Sequence, residues 1–266
     1  MKLKILMENT AFQTDVKAEH GFSLFIENNK DKILFDLGQT DALLHNAKLF
    51  EIKIEEIEAV VLSHGHYDHT GAIEAFLKTN SKAKFYVKRG FDCNRFSADR
   101  YVGVPLSCPI PQNRIVYIDN PTEISEGIYV MPDIHISDMQ DTHFNKFKVK
   151  EEDETHDDKF ADELYIAIVK NEKLSLISGC AHRGISNIIT SASAKFGLPI
   201  NLILGGFHIK NESEQKIAHL ADRLNTFKIE QMCPCHCTGI ESYVLLKNAC
   251  PSIKMQYGHV GLNYFL

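Results

Sequence analysis

The sequence predicts a layered α/β protein built on mixed sheets. Three observations carry that prediction. Short apolar runs alternate with segments of helical periodicity along all 266 residues. Two pairs of apolar runs are joined by short polar turns, so part of each sheet is antiparallel. The two halves of the chain also share one rhythm: hairpin, strand, polar cluster, helix.

The elements follow in order. The opening "MKLKILMENTAF" has a short apolar run without a long apolar core or a small-residue cleavage site, and reads as a first strand rather than a signal peptide. "FSLFIE" and "KILFDLG" flank "NNKDK" as a hairpin that closes at Asp36 and Gly38. In "TDALLHNAKLF", Leu43, Leu44, Ala47 and Leu49 recur at helical spacing, with Thr40 as the expected N-cap. "EAVVLSH" is a buried strand and "TGAIEAFLKT" a helix. "KAKFYVK", "NRIVYID" and "GIYVMPD" are strands. Residues 138–163 are acidic and nearly without aliphatics, an exposed excursion or lid. It does not divide the chain, since strands of the same style resume after it, and a single domain spanning 1–266 is expected. "LYIAIVKNEKLSLISGC" is a second hairpin, "GISNIITSASAKFG" a helix ending at Gly197, and "LPINLILGGFH" a strand ending in two glycines. "NESEQKIAHLADRLNTF" is a helix with Asn211 as expected cap and Glu214 three residues on. "IESYVLLKNAC" is a helix stopped by Pro251, and "SIKMQYG" is expected as the last strand.

Composition narrows the function. The net charge of -6 argues against sequence-independent nucleic-acid binding, which needs clustered Lys and Arg. No stretch approaches the roughly 20 apolar residues of a membrane span. Seven cysteines, three of them in "CPCHC", suit a reducing compartment with thiol or metal chemistry better than a disulfide framework. A cytoplasmic protein acting on a small molecule is expected.

The densest chemistry is "SHGHYDHTG", residues 63–71. In an extended segment His64 and His66 project to one side, because side chains alternate with a period of two. Gly65 lets the backbone bend closely. Asp68 and His69 follow at the turn into a helix and project to a neighbouring point. The spacing supplies two ligands for one metal ion and two for a second, and imidazole with carboxylate suits zinc, iron or manganese.

This stretch resembles the His-x-His-x-Asp-His motif of the metallo-β-lactamase superfamily, and the resemblance extends over almost the whole chain. It implies a four-layer αββα sandwich of two mixed β-sheets with the site at one rim, and it places Asp36 of "LFDLG" behind the metal-binding loop. It further implies two divalent ions, zinc first, with iron or manganese as alternatives: His64, His66 and His182 on one, Asp68, His69 and His236 on the other. Cys180 in "GCAHRG" stands where many relatives place a bridging aspartate, and is either a ligand or an inert buried thiol. His208 in "GGFH" is a ligand, a proton donor to the leaving group, a substrate contact or a structural residue. Cys233, Cys235 and Cys237 of "CPCHCTG" could instead form a separate zinc knuckle, but no second cysteine pair accompanies them. His259 of "GHVG" is a surface residue or lines the site.

"SHGHYDHTG", "GCAHRGI", "GGFH" and "PCHCTG" together resemble one branch, described as 7,8-dihydropterin-6-methyl-4-(β-D-ribofuranosyl)aminobenzene 5′-phosphate synthase-like. Branch members often carry a Gly-Glu-Ile-Pro-Arg-like segment, which "VMPDIHISDM" replaces here. The resemblance to the superfamily as a whole implies a metal-dependent hydrolase acting on an ester, phosphoester or related bond through a metal-bound hydroxide, with Asp68 accepting the water's proton and His208 assisting the leaving group. The alternatives are a pterin-linking transferase releasing pyrophosphate and a non-catalytic metal or ligand binder.

Overall fold

The computed structural model describes residues 1–105, 110–151 and 154–266. They form two compact units: one from 1–119, 144–162 and 259–266, the other from 120–143 and 163–258.

The first unit is built on a seven-stranded sheet, ordered Asn263–Phe265, Lys2–Met7, Ser23–Asn28, Asp31–Phe35, Ala59–Val61, Lys84–Val87, Ile115–Tyr117. Its early pairings are antiparallel, and one of them is a tight hairpin. Asn28 pairs with Asp31 across a two-residue turn, and Asn29 takes the left-handed conformation (φ 56°) that such turns require. From Asp31–Phe35 onward the pairings are parallel, so each return needs a crossover. The helices Ala42–Leu49 and Ile73–Thr79 lie on these connections. Leu43, Ala47, Ile73 and Phe76 pack in one core with Leu34, Val60 and Phe85 of the sheet, and each side chain larger than alanine contributes about 1.5–3 kcal/mol relative to exposure.

The second unit repeats this plan. Its seven strands run in the order Lys254–Met255, Ile229–Cys235, Ile200–Gly206, Lys173–Ser178, Tyr165–Lys170, Ile128–Met131, Thr122–Ser125. The Tyr165–Lys170/Lys173–Ser178 hairpin is antiparallel and turns on Asn171 and Glu172, both at positive φ. Lys173–Ser178, Ile200–Gly206 and Ile229–Cys235 are parallel neighbours. The helices Ile185–Phe196, Glu214–Asn225 and Ile240–Ala249 bury Ile188, Leu220 and Leu246 in one core with Leu176 and Ile203. The predicted mixed α/β class is therefore the observed one, and among the described residues no helix is long and apolar enough to cross a membrane.

Three local expectations are corrected. The helix predicted from Thr40 has Asp41 as N-cap; the Thr40 hydroxyl donates to Glu19, while still accepting from the Ala42 N–H at 3.2 Å. Asn211 is not the cap of Glu214–Asn225. It sits at φ 65°, whereas an N-cap needs extended backbone. Ser213 has that geometry, and its hydroxyl accepts from Lys216 N–H at 3.2 Å. "SIKMQYG" is not the last strand: Asn263–Phe265 follows and pairs with Lys2–Lys4.

The acidic stretch is exposed over Glu154–Asp157, but Asp141, Asp158, Asp162 and Glu163 are buried; Glu152 and Asp153 lie outside the described residues. Phe147–Glu151 and Glu154–Asp157 form a hairpin in a four-stranded antiparallel sheet with Asn94–Ser97 and Arg100–Tyr101. Arg95 explains two of the buried acids. Its guanidinium is 2.8 Å from Asp158 and 2.7 Å from Asp162, and it donates to the Phe91 carbonyl at 2.9 Å. Removing the cation would strand two carboxylates away from water. Arg95→Met is expected to lower stability by about 3–5 kcal/mol, read as a fall in the urea midpoint; an unchanged midpoint would show that this ion triad does not hold the small sheet in place.

Candidate functional site

In both sheets the chemistry sits just past the carboxyl ends of parallel strands, where open α/β sheets place their ligands. In the first unit, Ala59–Val61 leads into Ser63, His64 and Gly65. A side chain at Gly65 is impossible: a Cβ would lie 1.6 Å from the Phe91 carbonyl oxygen. The Gly65 N–H donates to Asp162 Oδ2 at 2.9 Å, so a buried carboxylate holds the bend that puts His64 and His66 together. Their rings are 4.6 Å apart, and those of His64 and His69 are 4.3 Å apart. Phe147 and Phe160 wall His66 at 5.1 and 5.2 Å.

Asp36 sets the protonation pattern of this group. It is fully buried and takes φ 60°. Its Oδ2 is 2.6 Å from His69 Nδ1. It also accepts the Ser63 N–H and the Ser63 hydroxyl, each at 2.7 Å. With that hydroxyl proton turned to Asp36, Ser63 Oγ can only accept from His64 Nδ1, 2.9 Å away. Both imidazoles therefore carry their proton on Nδ1 and a lone pair on Nε2, the tautomer that a metal ion needs. Burial, reinforced by His69 and His66, pushes the His64 pKa well below its ordinary value, which keeps the ring neutral. Asp68 Oδ2 lies 3.8 Å from His69 Nε2 and 3.2 Å from His20 Nε2. This donor set fits a divalent ion: buried imidazoles, one carboxylate, and an outer carboxylate that orients the rings.

In the second unit, Cys180 and His182 follow Lys173–Ser178, His208 follows Ile200–Gly206, and His236 follows Ile229–Cys235. Donor atoms of Cys180, His182 and His208 lie within 4.8 Å of one another, as do those of Cys180, His236 and Cys237. Glu163 accepts the His182 and Arg183 N–H groups at 2.6 and 2.8 Å, which fixes the loop carrying His182. The glycines of "GGFH" serve close packing of the strands: a Cβ at Gly205 would meet the Ser178 carbonyl oxygen at 2.0 Å, and one at Gly206 would meet Cys237 Sγ at 2.4 Å. Ala181, His208 and His236 all sit near φ 50°. Left-handed backbone at non-glycine residues is costly and concentrates at functional sites. Burial would raise the Cys237 pKa, but hydrogen bonding with Cys180 and the proximity of His236 and His208 bring it well below the ordinary thiol value.

Of the expected residues, the structure groups His64, His66, Asp68 and His69 in one unit, and Cys180, His182, His208 and His236 in the other. His259 stands apart, its ring packed on Phe12 at 5.1 Å. Cys233 and Cys235 are buried in their strand and join no donor group with Cys237 among the described residues, so the knuckle is not assembled. Two histidines escaped the sequence analysis. His20 beside Asp68 comes from a loop with no periodicity to mark it. His143 is buried, with Nδ1 3.2 Å from Glu212 and its N–H donating to the His182 carbonyl at 2.8 Å. Its ring lies 5.5 Å from that of His208. Hydrogen bonds from His143 and then Lys216 outweigh burial and bring Glu212 down to about 2.

Comparison with known proteins places this arrangement. The family described as "Metallo-beta-lactamase superfamily" matches residues 16–92. Uncharacterized protein MJ0448 of Methanocaldococcus jannaschii is 31% identical over 97% of this chain and 98% of its own length. The 7,8-dihydropterin-6-methyl-4-(β-D-ribofuranosyl)aminobenzene 5′-phosphate synthase of the same organism is 26% identical over 91% of this chain and 89% of its own. The crystal structure of Tm1679, described as a metal-dependent hydrolase of the β-lactamase superfamily, superposes with a TM-score of 0.87 at 27% identity, covering 100% of this chain and 99% of that one. The chain belongs to the metallo-β-lactamase superfamily, in the branch that resembles the dihydropterin-linked synthase.

Proposed function

We propose that the protein is a metal-dependent hydrolase that cleaves an ester, phosphoester or related bond in a small molecule. The superfamily consists mostly of hydrolases and its fold binds divalent metals. The observation that carries the reading is the Asp36 network, which holds two buried imidazoles in the metal-ready tautomer. His64, His66 and His182 would hold one ion; Asp68, His69 and His236 would hold a second, zinc in preference to iron or manganese. Bound divalent ions supply Lewis acidity, polarising the electrophile and acidifying water.

The side chains divide the remaining tasks. Asp68 accepts a proton from the attacking water. His20, 3.2 Å from that carboxylate, keeps it oriented and can take the proton onward to solvent, being about half exposed. His208, held in a left-handed backbone conformation, donates a proton to the leaving group. Phe147 and Phe160 keep water from the inner face of His66.

A second reading rests on the likeness to the dihydropterin-linked synthase: a transferase that joins a pterin methyl group to an aromatic acceptor and releases pyrophosphate. The replacement of the branch's Arg-bearing segment by "VMPDIHISDM" favours the hydrolase. A protein that binds metal or ligand without turnover is the remaining alternative.

Two experiments test the proposal. Protein purified without a metal-affinity tag should contain about two metal ions per chain, and His236→Ala should lose about one of them; one ion or none, unchanged in the variant, contradicts the two-ion assignment. Asp68→Asn should stay folded by circular dichroism and lose about 10²–10⁴ in kcat on a panel of phosphodiesters and lactones. A wild-type panel without metal-dependent turnover points instead to the binder, and turnover only with a pterin pyrophosphate and an arylamine points to the transferase.

A further inference from the structure

The sulfur in the second unit has no part in the chemistry above. Cys180 and Cys237 follow strands that are not neighbours. Lys173–Ser178 and Ile229–Cys235 lie on opposite sides of Ile200–Gly206, and strands two apart in a sheet are roughly 9–10 Å apart. Their sulfurs nevertheless lie within 4.8 Å of each other. Gly206 of the intervening strand makes this approach available. A Cβ there would meet Cys237 Sγ at 2.4 Å and the Cys180 Cα at 3.4 Å, so the space a side chain would fill is where the two cysteines converge. Cys237 Sγ is held in place by the His208 N–H at 3.3 Å. His236, on the residue before, brings a ring nitrogen within the same 4.8 Å. All three side chains are buried.

We propose that Cys180 and Cys237 join His236 as ligands of the ion assigned to His236 above, a sulfur-rich set that makes this ion a thiolate-preferring one, zinc or iron(II), rather than magnesium, calcium or manganese. This rests on the reading that the protein holds divalent metal. Two sulfurs and one nitrogen around a tetrahedral ion sit roughly 3.5–3.8 Å apart, given bonds of about 2.3 Å to sulfur and 2.0 Å to nitrogen, so the observed group closes onto an ion with shifts of about 1 Å or less. Each thiol releases its proton to solvent as its sulfur binds. Soft ligands select among metals that imidazole and carboxylate alone accept indifferently. The competing interpretation is a pair of inert buried thiols.

Cobalt(II) titrated into the metal-free protein tests this without reference to activity. The expected result is visible ligand-field bands together with a near-ultraviolet sulfur-to-cobalt charge-transfer band. Cys180→Ser and Cys237→Ser should each keep about half of that band, and the double variant none of it, since one sulfur remains in each single variant. Cys93→Ser should leave it unchanged. Ligand-field bands without charge transfer would overturn the sulfur site while leaving a metal held by nitrogen and oxygen, and the proposed function, intact. No cobalt spectrum at all would overturn both. Should the serine variants fail to fold, the wild-type spectrum still decides, because only thiolate ligation produces the charge-transfer band.

Discussion

A single buried carboxylate organises the metal-binding loop of the first unit. Asp36 closes the second strand of the opening hairpin and accepts bonds from the Ser63 backbone, the Ser63 hydroxyl and His69 Nδ1. A carboxylate with no exposure is costly unless its lone pairs are met, and here these donors meet them. The consequence travels outward. Ser63 can only accept from His64, His64 is fixed with its proton on Nδ1, and the Nε2 lone pairs of His64 and His69 are set before any ion arrives. Preorganisation of this kind removes the cost of choosing a tautomer during binding.

The backbone is shaped to the same end. Asp36, Ala181, His208 and His236 each take left-handed backbone just past the end of a strand. Such residues cost of order 1–3 kcal/mol each and persist because neighbours over-determine them. Glu163 clamps the loop after Ala181, Cys237 receives the N–H of His208, and Asp162 holds the bend at Gly65. Stability is thus spent at strand ends to aim imidazoles, while the apolar cores on the helix-covered faces of the sheets supply it.

Much of this was legible in the sequence. The hairpins were marked by polar turns, and the parallel returns by helical periodicity between apolar runs. The ligand motif was marked by four donors in six positions. The supporting acids were not legible. Asp158, Asp162 and Glu163 sit in a run whose composition reads as solvated, and residue type alone places them outside. They are buried because their partners are remote: Arg95 lies 63 residues from Asp158, and the Gly65 N–H lies 97 residues from Asp162. Those contacts exist only once the sheet has formed. The caps at Asp41 and Ser213 were misplaced by one and two residues; the second follows from the left-handed backbone of Asn211, which residue type does not announce. Strand Asn263–Phe265 is three residues long with no apolar alternation of its own, and it is defined by the edge it covers.

The central claim is that the Asp36 carboxylate prepares the imidazoles for metal, and the zinc affinity of Asp36→Asn tests it most directly. Asparagine tolerates the left-handed backbone that position 36 requires, so the variant keeps the fold while losing the charge that holds both Nδ1 protons in place. Measured by competition with a chromophoric chelator, its zinc affinity should fall about 10–100-fold with an unchanged circular dichroism spectrum. A folded variant that binds zinc as tightly as the wild type would contradict the account.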